Sequence, residues 1–218
     1  IGYQVVQSIS NYWMALLIAM FAGAALSAFI EIAFMRLLLK HTSSGPIANV
    51  APIIATLGLL GIIKAIIAMI WGGQDVVVKP PLSNTGFSIG THTLVFSPMK
   101  LAIVISVALL VLTFSLIFQR TNIGLALRAS AFAPEIARLA GIRVDLVRTL
   151  GWALSGAAGA VAGLLLTSNG NGSFSPESIE FSLLLISGFI AAAIGGLESL
   201  VGAVIGGVLL GLVSSFVL

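Results

Sequence analysis

The sequence contains no cysteine, so no disulfide staples it and no thiolate holds a metal. Charge is nearly as scarce: 8% of the 218 residues are charged, where a soluble domain carries about 25%. So few charges cannot clothe a water-exposed surface, and lipid must cover much of the molecule. Histidine occurs twice, as His41 and His92, in loops expected on opposite sides of a membrane, where the pair cannot share a metal. There is no GxxxxGK(S/T) loop, so ATP hydrolysis by this chain in the P-loop manner is excluded. HExxH and GxSxG are also missing, and no catalytic constellation takes their place. The reading is a non-enzyme that binds no cofactor or metal itself and has no nucleic-acid partner.

What the chain has in quantity is apolar length. Hydrophobic residues make up 59% and glycine contributes 24 positions, a composition suited to closely packed membrane helices. A span needs about 20 mostly apolar residues. Stretches near 12–35, 50–71, 100–118 and 150–167 qualify. The run from 181 to 218 is too long for one span, and Gly195-Gly196-Leu197-Glu198-Ser199 divides it at a tight turn. The expected fold is all-α, a polytopic transmembrane helix bundle of about five to six spans, forming one permease-like domain over 1–218. The chain begins at Ile1 and ends within an apolar run, so both termini are expected to be incomplete, with residues 1–11 the tail of an earlier helix or an external loop.

Basic residues orient the bundle. Arg36 and Lys40 follow the first span, and Arg120, Arg128, Arg138, Arg143 and Arg148 surround the loop after the third. Loop 72–99 holds Lys79 with Lys100 at its edge, and loop 168–180 has Glu177 and Glu180 but no basic residue. Segments 36–49 and 119–149 and the 195–199 turn are therefore expected in the cytoplasm, and 72–99 and 168–180 outside. Within 72–99, alternation around Gly90-Thr91 fits either a small hairpin or a plain connector. Small residues recur every four positions at Gly151, Ser155, Gly159 and Gly163, and again at Ala203, Gly207 and Gly211. Such rows admit a neighbouring backbone, within the chain or across a subunit interface.

The segment 121–149 is too long for a simple connector. Pro134 suits the first turn of a helix, Glu135 complements its positive end, and Gly141 suits the position just past its end. This marks a helix of about two turns from Pro134 to Ala140. Ile136, Leu139 and Ala140 share one face, with Glu135 and Arg138 pointing elsewhere. So short a helix is unstable alone; it docks either on its own chain or on another protein.

The string GLALRASAFAPEIARLAGI resembles the cytoplasmic loop of permeases in the branched-chain amino-acid ABC importer family. Gly124, Ala126, Arg128, Ala129, Ala137, Leu139, Gly141 and Ile142 stand near that family's motif positions. Glu31 and Arg36 resemble its E-x-x-x-x-R closing an early span, although Leu37-Leu38-Leu39 follows in place of P-L-R. Ala55-Thr56-Leu57-Gly58 also fits, as does GGLESLVGAVIGGVLLG, where Glu198 replaces a usual glycine. The likeness covers roughly residues 30 to 211 and is nearer the LivH-type than the LivM-type subunit.

The resemblance implies that 121–149 is a coupling loop seated on a separate ATPase. Gly124, Arg128, Ala129, Glu135, Ile136, Ala137, Arg138, Leu139 and Gly141 would then be the contact candidates. It also implies ATP-Mg on the partner ATPases, a second homologous permease forming a heterodimer, an extracytoplasmic substrate-binding protein, and residence in the bacterial inner membrane. Urea and short amides are alternative substrates within such a family. A secondary carrier or channel, or a non-transporting assembly subunit, are the other readings; the spans have no central carboxylate of the kind carriers use. Lys64 lies about 10 Å inside the second span at 1.5 Å per residue. Its amine either snorkels to the interface, pairs within the bundle, or meets a substrate carboxylate.

Overall fold

The computed structural model describes residues 11–41, 51–72, 76–77, 81–82, 88–89, 92–93, 97–169, 173–174, 179–196 and 199–217. The chain is a helical bundle. Helix α1 (Tyr12–Ile30) continues through a π turn (Glu31–Met35) into α2 (Arg36–His41). Helix α3 covers Ala51–Trp71 and α4 covers Pro98–Arg120. Two short helices, α5 (Asn122–Phe132) and α6 (Pro134–Leu139), lead into α7 (Val144–Asn169). The chain closes with α8 (Ile179–Gly195) and α9 (Leu200–Val217). The stretches Tyr12–Leu38, Pro98–Arg120 and Val144–Ser168 are long and apolar enough to cross a bilayer, and Ile54–Ile70, Leu185–Gly195 and Val201–Phe216 are shorter apolar helices. Leu17, Phe21, Phe29, Val104, Leu109, Leu112, Phe189 and Val213 are all exposed. So much bare apolar surface is untenable in water and belongs in hydrocarbon. The protein is a multi-pass membrane protein.

The boundaries have local causes. Asn11 accepts a hydrogen bond from the Trp13 N–H (3.2 Å) and opens α1. Ser97 caps α4, accepting from the Lys100 N–H at 3.3 Å, with Pro98 in the first turn. Thr121 ends α4 and also caps α5, accepting from the Gly124 N–H at 3.2 Å. The corner is so tight that any side chain at Gly124 would overlap the Ile117 and Phe118 carbonyls. Between α8 and α9, Gly196 takes φ +92° and the Ser199 N–H reaches the Gly196 carbonyl at 3.0 Å. The expected break in the last apolar run is therefore real; Leu197 and Glu198 within it lie outside the described residues.

Among the described residues, two pairs of two-residue strands sit between helices. Ser88–Ile89 pairs antiparallel with His92–Thr93, the hairpin that the alternation allowed; its Gly90-Thr91 turn lies outside the described residues. Val76–Val77 pairs antiparallel with Ser173–Phe174. That pairing ties loop 72–99 to loop 168–180, so both lie at one end of the bundle, as alternating parity requires. His41 closes α2 and His92 lies in a strand, at opposite ends. Residues 1–10, Lys79 and Glu177 lie outside the described residues.

The core is a seam between α1 and α7, which run antiparallel. At one end the Tyr12 hydroxyl bonds Ser168 Oγ (2.9 Å) and donates to the Leu164 carbonyl (3.3 Å). There Tyr12, Ala19, Met99 and Leu164 form a buried cluster, bringing in α4, with Leu16 and Ile103 packed against it. Midway, a Cβ on Gly23 would stand 2.6 Å from both the Gly156 carbonyl oxygen and the Ala160 Cβ. Ser27 Oγ donates to the Trp152 carbonyl at 2.7 Å. Helices α8 and α9 form a second close pair, where Gly195 meets Gly202 and Gly206 meets Ala191.

These contacts correct the expected packing rows. Gly151 does touch a neighbour, Leu127 of α5, at 3.3 Å from its would-be Cβ. Ser155 is exposed, however, and a Cβ at Gly159 or Gly163 would meet nothing within 4 Å among the described residues. The close approach falls one position on, at Gly156. The last span shows an offset of one position in the other direction: Gly202 and Gly206 make the contact, Gly207 only grazes Ala191 Cβ at 3.8 Å, and a Cβ at Gly211 would meet nothing within 4 Å among the described residues. Small residues fill adjacent rows on both helices, so spacing alone does not fix which row, about 100° around, faces the partner. Accordingly, Gly156→Leu should cost the seam at least about 1–3 kcal/mol through overpacking, lowering the thermal unfolding midpoint of the purified protein in detergent, whereas Gly159→Leu should leave it unchanged.

Candidate functional site

At the end of the bundle opposite Tyr12, five ionisable or hydroxyl side chains from two distant stretches of chain meet. Glu31 is fully buried. Its Oε1 accepts from Arg148 Nε at 2.9 Å. Its Oε2 accepts from the Thr149 hydroxyl at 2.6 Å and from Arg36 Nη2 at 3.3 Å. Arg36 Nη2 also donates to Thr149 Oγ1 (2.8 Å) and to the Asp145 carbonyl (3.2 Å). Arg148 Nη2 reaches Asp145 Oδ1 at 3.1 Å. Two guanidinium groups thus face two carboxylates and the cluster balances in charge. A buried carboxylate is tolerable only under such conditions, paired and with its lone pairs satisfied.

The π turn makes Arg36 available. In a continuous α-helix, residues five apart lie about 140° apart around the axis and do not face each other. Here the Arg36 N–H bonds the Glu31 carbonyl, the i→i+5 closure of a π turn, and the Arg36 side chain returns to the Glu31 carboxylate. The sequence marks Glu31 and Arg36 as a motif, yet gives no sign that Arg148 and Thr149 complete it.

The elbow formed by α5 and α6 lies beside this cluster. Helix α6 has Pro134 in its first turn and ends at Ala140. Gly141, at φ +83°, donates to the Arg138 carbonyl (3.0 Å), and the Ile142 N–H donates to the Ala137 carbonyl (3.0 Å). This pair of bonds is the Schellman closure, which needs a left-handed residue and so favours glycine. The helix expected from the sequence is present with its expected punctuation. Ile136 (68% exposed) and Leu139 (89%) project away from the described chain, as does Phe132 (95%) at the end of α5. Glu135 and Arg138 pair with each other at 3.3 Å and are exposed, off the apolar face. Arg128 is exposed and Ala129 half-buried.

Two of the nine candidate contact residues do not belong to the outward surface. Gly124 is buried in the α4–α5 corner, where its lack of a side chain is what closes the turn. Ala137 is 4% exposed and faces inward. The motif draws attention to both, but their roles are to seat the elbow, which a single apolar periodicity does not separate from presentation. Gly141 shapes the turn after α6. Between the elbow and the cluster lies an open groove of about 690 Å³ lined by Ile32, Arg36, Arg138, Arg143, Asp145 and Thr149, among others. Lys64 is half-buried on α3 and forms no ion pair among the described residues. It lies far along the chain from the elbow, and nothing brings it to the cluster. Among the described residues no group of three or more metal-ligating side chains gathers.

A family model described as branched-chain amino acid transport system / permease component matches residues 2–218. The probable branched-chain amino acid transport permease protein LivH of Methanocaldococcus jannaschii is 32% identical over 204 residues, covering 91% of this chain and 61% of that protein. The high-affinity branched-chain amino acid transport system permease protein LivH of Escherichia coli K12 is 31% identical over 181 residues, 80% of this chain and 57% of the relative. For the corresponding protein BraD of Pseudomonas aeruginosa the identity is 29% over 168 residues, 76% and 53%. The chain therefore spans roughly half to three-fifths of the length of these relatives. No solved structure matches it.

The cluster gives a direct test of its own energetics. Arg148→Met removes the shorter of the two ion pairs to the buried Glu31 carboxylate, leaving Arg36 as its one cation, and should destabilise the fold by up to about 3–5 kcal/mol. Thr149→Val removes one hydroxyl and should cost less, about 1–3 kcal/mol. Unfolding of both variants in detergent, followed by thermal or denaturant titration, should rank them in that order.

Proposed function

The chain belongs to the branched-chain amino acid transport system permease component family, and from that premise we propose that it is one of two homologous membrane subunits of an ATP-driven importer. The LivH and BraD relatives are named as permeases for branched-chain amino acids, and hydrophobic amino acids of that kind are the substrate we assign. A separate pair of ATPase subunits binds Mg-ATP; this chain supplies no nucleotide site. A second, different permease subunit completes the pathway, and a substrate-binding protein delivers cargo from the face that carries the two strand pairs. The assembly sits in a cytoplasmic membrane with α5 and α6 in the cytoplasm, in keeping with the arginines around them.

The observation that carries the reading is the presentation of Ile136 and Leu139. A six-residue helix cannot persist by itself, yet this one is punctuated at both ends, anchored through Ala137, and turns its two largest apolar side chains outward. An apolar face held rigid off the end of a bundle is what a docking partner requires. Closing of the ATPase pair would displace this helix, and the bundle would convert that displacement into a change of access. In this reading Arg128 and the Glu135–Arg138 pair form the polar rim around the apolar centre.

Leu139→Arg places a charge at the centre of that contact. It should abolish co-purification with the ATPase subunits and ATP-dependent uptake of radiolabelled leucine, while leaving the permease folded as judged by its thermal midpoint. Retention of both complex and uptake would refute the docking assignment. Lys64 is the candidate for the substrate path: Lys64→Met should raise the half-saturating leucine concentration severalfold, and uptake unchanged at all concentrations would remove it from the pathway. Competition of leucine uptake by urea or short amides would redirect the substrate assignment.

A further inference from the structure

We propose that the Glu31-centred cluster is a mechanical joint: it makes α1 and α7 respond to the elbow as one body, so that Glu31, Arg148 and Thr149 are positioning residues for transport although none lies on the docking face. The transmission half of this inference rests on the permease reading above; the rigidity half does not.

The first link is short and closed. The Schellman bonds fix the end of α6, Gly141 is the only left-handed residue between the two helices among the described residues, and the Val144 N–H already bonds the Ile142 carbonyl at 3.0 Å. Helix α7 thus begins without slack, and displacement of α6 displaces its first turn. The second link follows at once, because Asp145, Arg148 and Thr149, all within five residues of Val144, are the groups that hold Glu31 and Arg36. The third link is the rest of the seam, where Ser27 with Trp152, Gly23 with Gly156, and Tyr12 with Ser168 continue the contact to the far end. Helices α8 and α9, by contrast, pack chiefly on each other. A force at α6 therefore meets α7 and α1 joined from end to end, and relative motion is left to the helices outside that seam, the α8–α9 pair among them.

The chemistry suits a joint better than a filler. Apolar contacts tolerate sliding, whereas charge-assisted hydrogen bonds fix distance and direction. The backbone gives up regular α-helical closure at the π turn, and the local result is that Arg36 reaches Glu31.

The absence of cysteine makes the measurement clean. Spin labels at Phe29→Cys on α1 and Leu146→Cys on α7, both exposed positions, report the spacing of the two helices in lipid nanodiscs. The chain without its partners should give one narrow distance distribution, and E31Q should broaden it. In the assembled transporter the wild-type distance should not change when ATP is trapped on the motor. In proteoliposomes, E31Q should retain ATPase subunits and hydrolyse ATP, while leucine moved per ATP falls about tenfold. Thr149→Val should show the same uncoupling more weakly, and it decides the matter if E31Q does not assemble. A distribution as narrow in E31Q as in wild type, a wild-type distance that shifts with ATP, or uptake and hydrolysis that fall in equal proportion in both variants would each overturn the proposal. A wild-type complex that takes up no leucine with ATP would instead overturn the permease reading, and the label distances would still decide whether the joint holds.

Discussion

The close antiparallel contact of α1 with α7 is the constraint on which the rest of this structure depends. In hydrocarbon, lipid chains solvate leucine as well as another helix does, so apolar burial gives little reason for two spans to associate. What remains is packing at short range and hydrogen bonding where water cannot compete. The seam uses both. Gly23 and Gly156 let the backbones approach to within the space a methyl group would need, and Ser27 uses that proximity to reach the Trp152 carbonyl. The polar ends then fix the register: a tyrosine–serine contact at one end and a balanced four-charge cluster at the other.

The two ends of the seam are chemically unequal. Tyr12 and Ser168 make neutral bonds and adjoin the apolar Met99–Leu164 cluster, an arrangement that holds α4 in place by packing. At the Glu31 end, apolar packing gives way to charge, and the side chains there come from the first turns of α7 and the last turn of the first span. A buried carboxylate between two arginines is no bargain in stability compared with an apolar filling of equal volume. What it adds is a restricted geometry, since three donors, two of them on planar guanidinium groups, converge on the two oxygens of Glu31.

Much of this was legible in the sequence, and what escaped did so for definable reasons. Hydropathy located the long apolar helices but not α5, whose Asn122–Phe132 stretch is too short and mixed to stand out. Gly195-Gly196 located the last break, and Pro134 with Gly141 bounded α6, because proline fixes φ and glycine takes the left-handed turn without steric cost. Alternation allowed, without deciding, the pairing of Ser88–Ile89 with His92–Thr93. The expected row on α7 makes one contact within the chain, at Gly151, while the close approaches fall on neighbouring rows, at Gly156 and at Gly202 and Gly206, because when neighbouring rows are all glycine, alanine and serine the period survives but the phase is lost. Gly124 and Ala137 were noticed but assigned outward rather than inward roles. Arg148 and Thr149 escaped altogether: they lie 117 and 118 positions from Glu31, and no local period links residues so distant.

The arrangement also explains why the smallest residue of α6 is the one turned inward. An elbow seated through a large side chain would need a pocket deep enough to receive it, whereas α5 is already held close on both sides, to α4 at the Gly124 corner and to α7 by the contact of Leu127 with Gly151. Ala137 is the buried residue of α6, and Ile136 and Leu139, one position before and two after, lie on its exposed side. Because α6 runs through the closed turn at Gly141 into the start of α7, and the start of α7 is bonded to Glu31, the direction in which this face points is tied to a charge cluster that the first span completes.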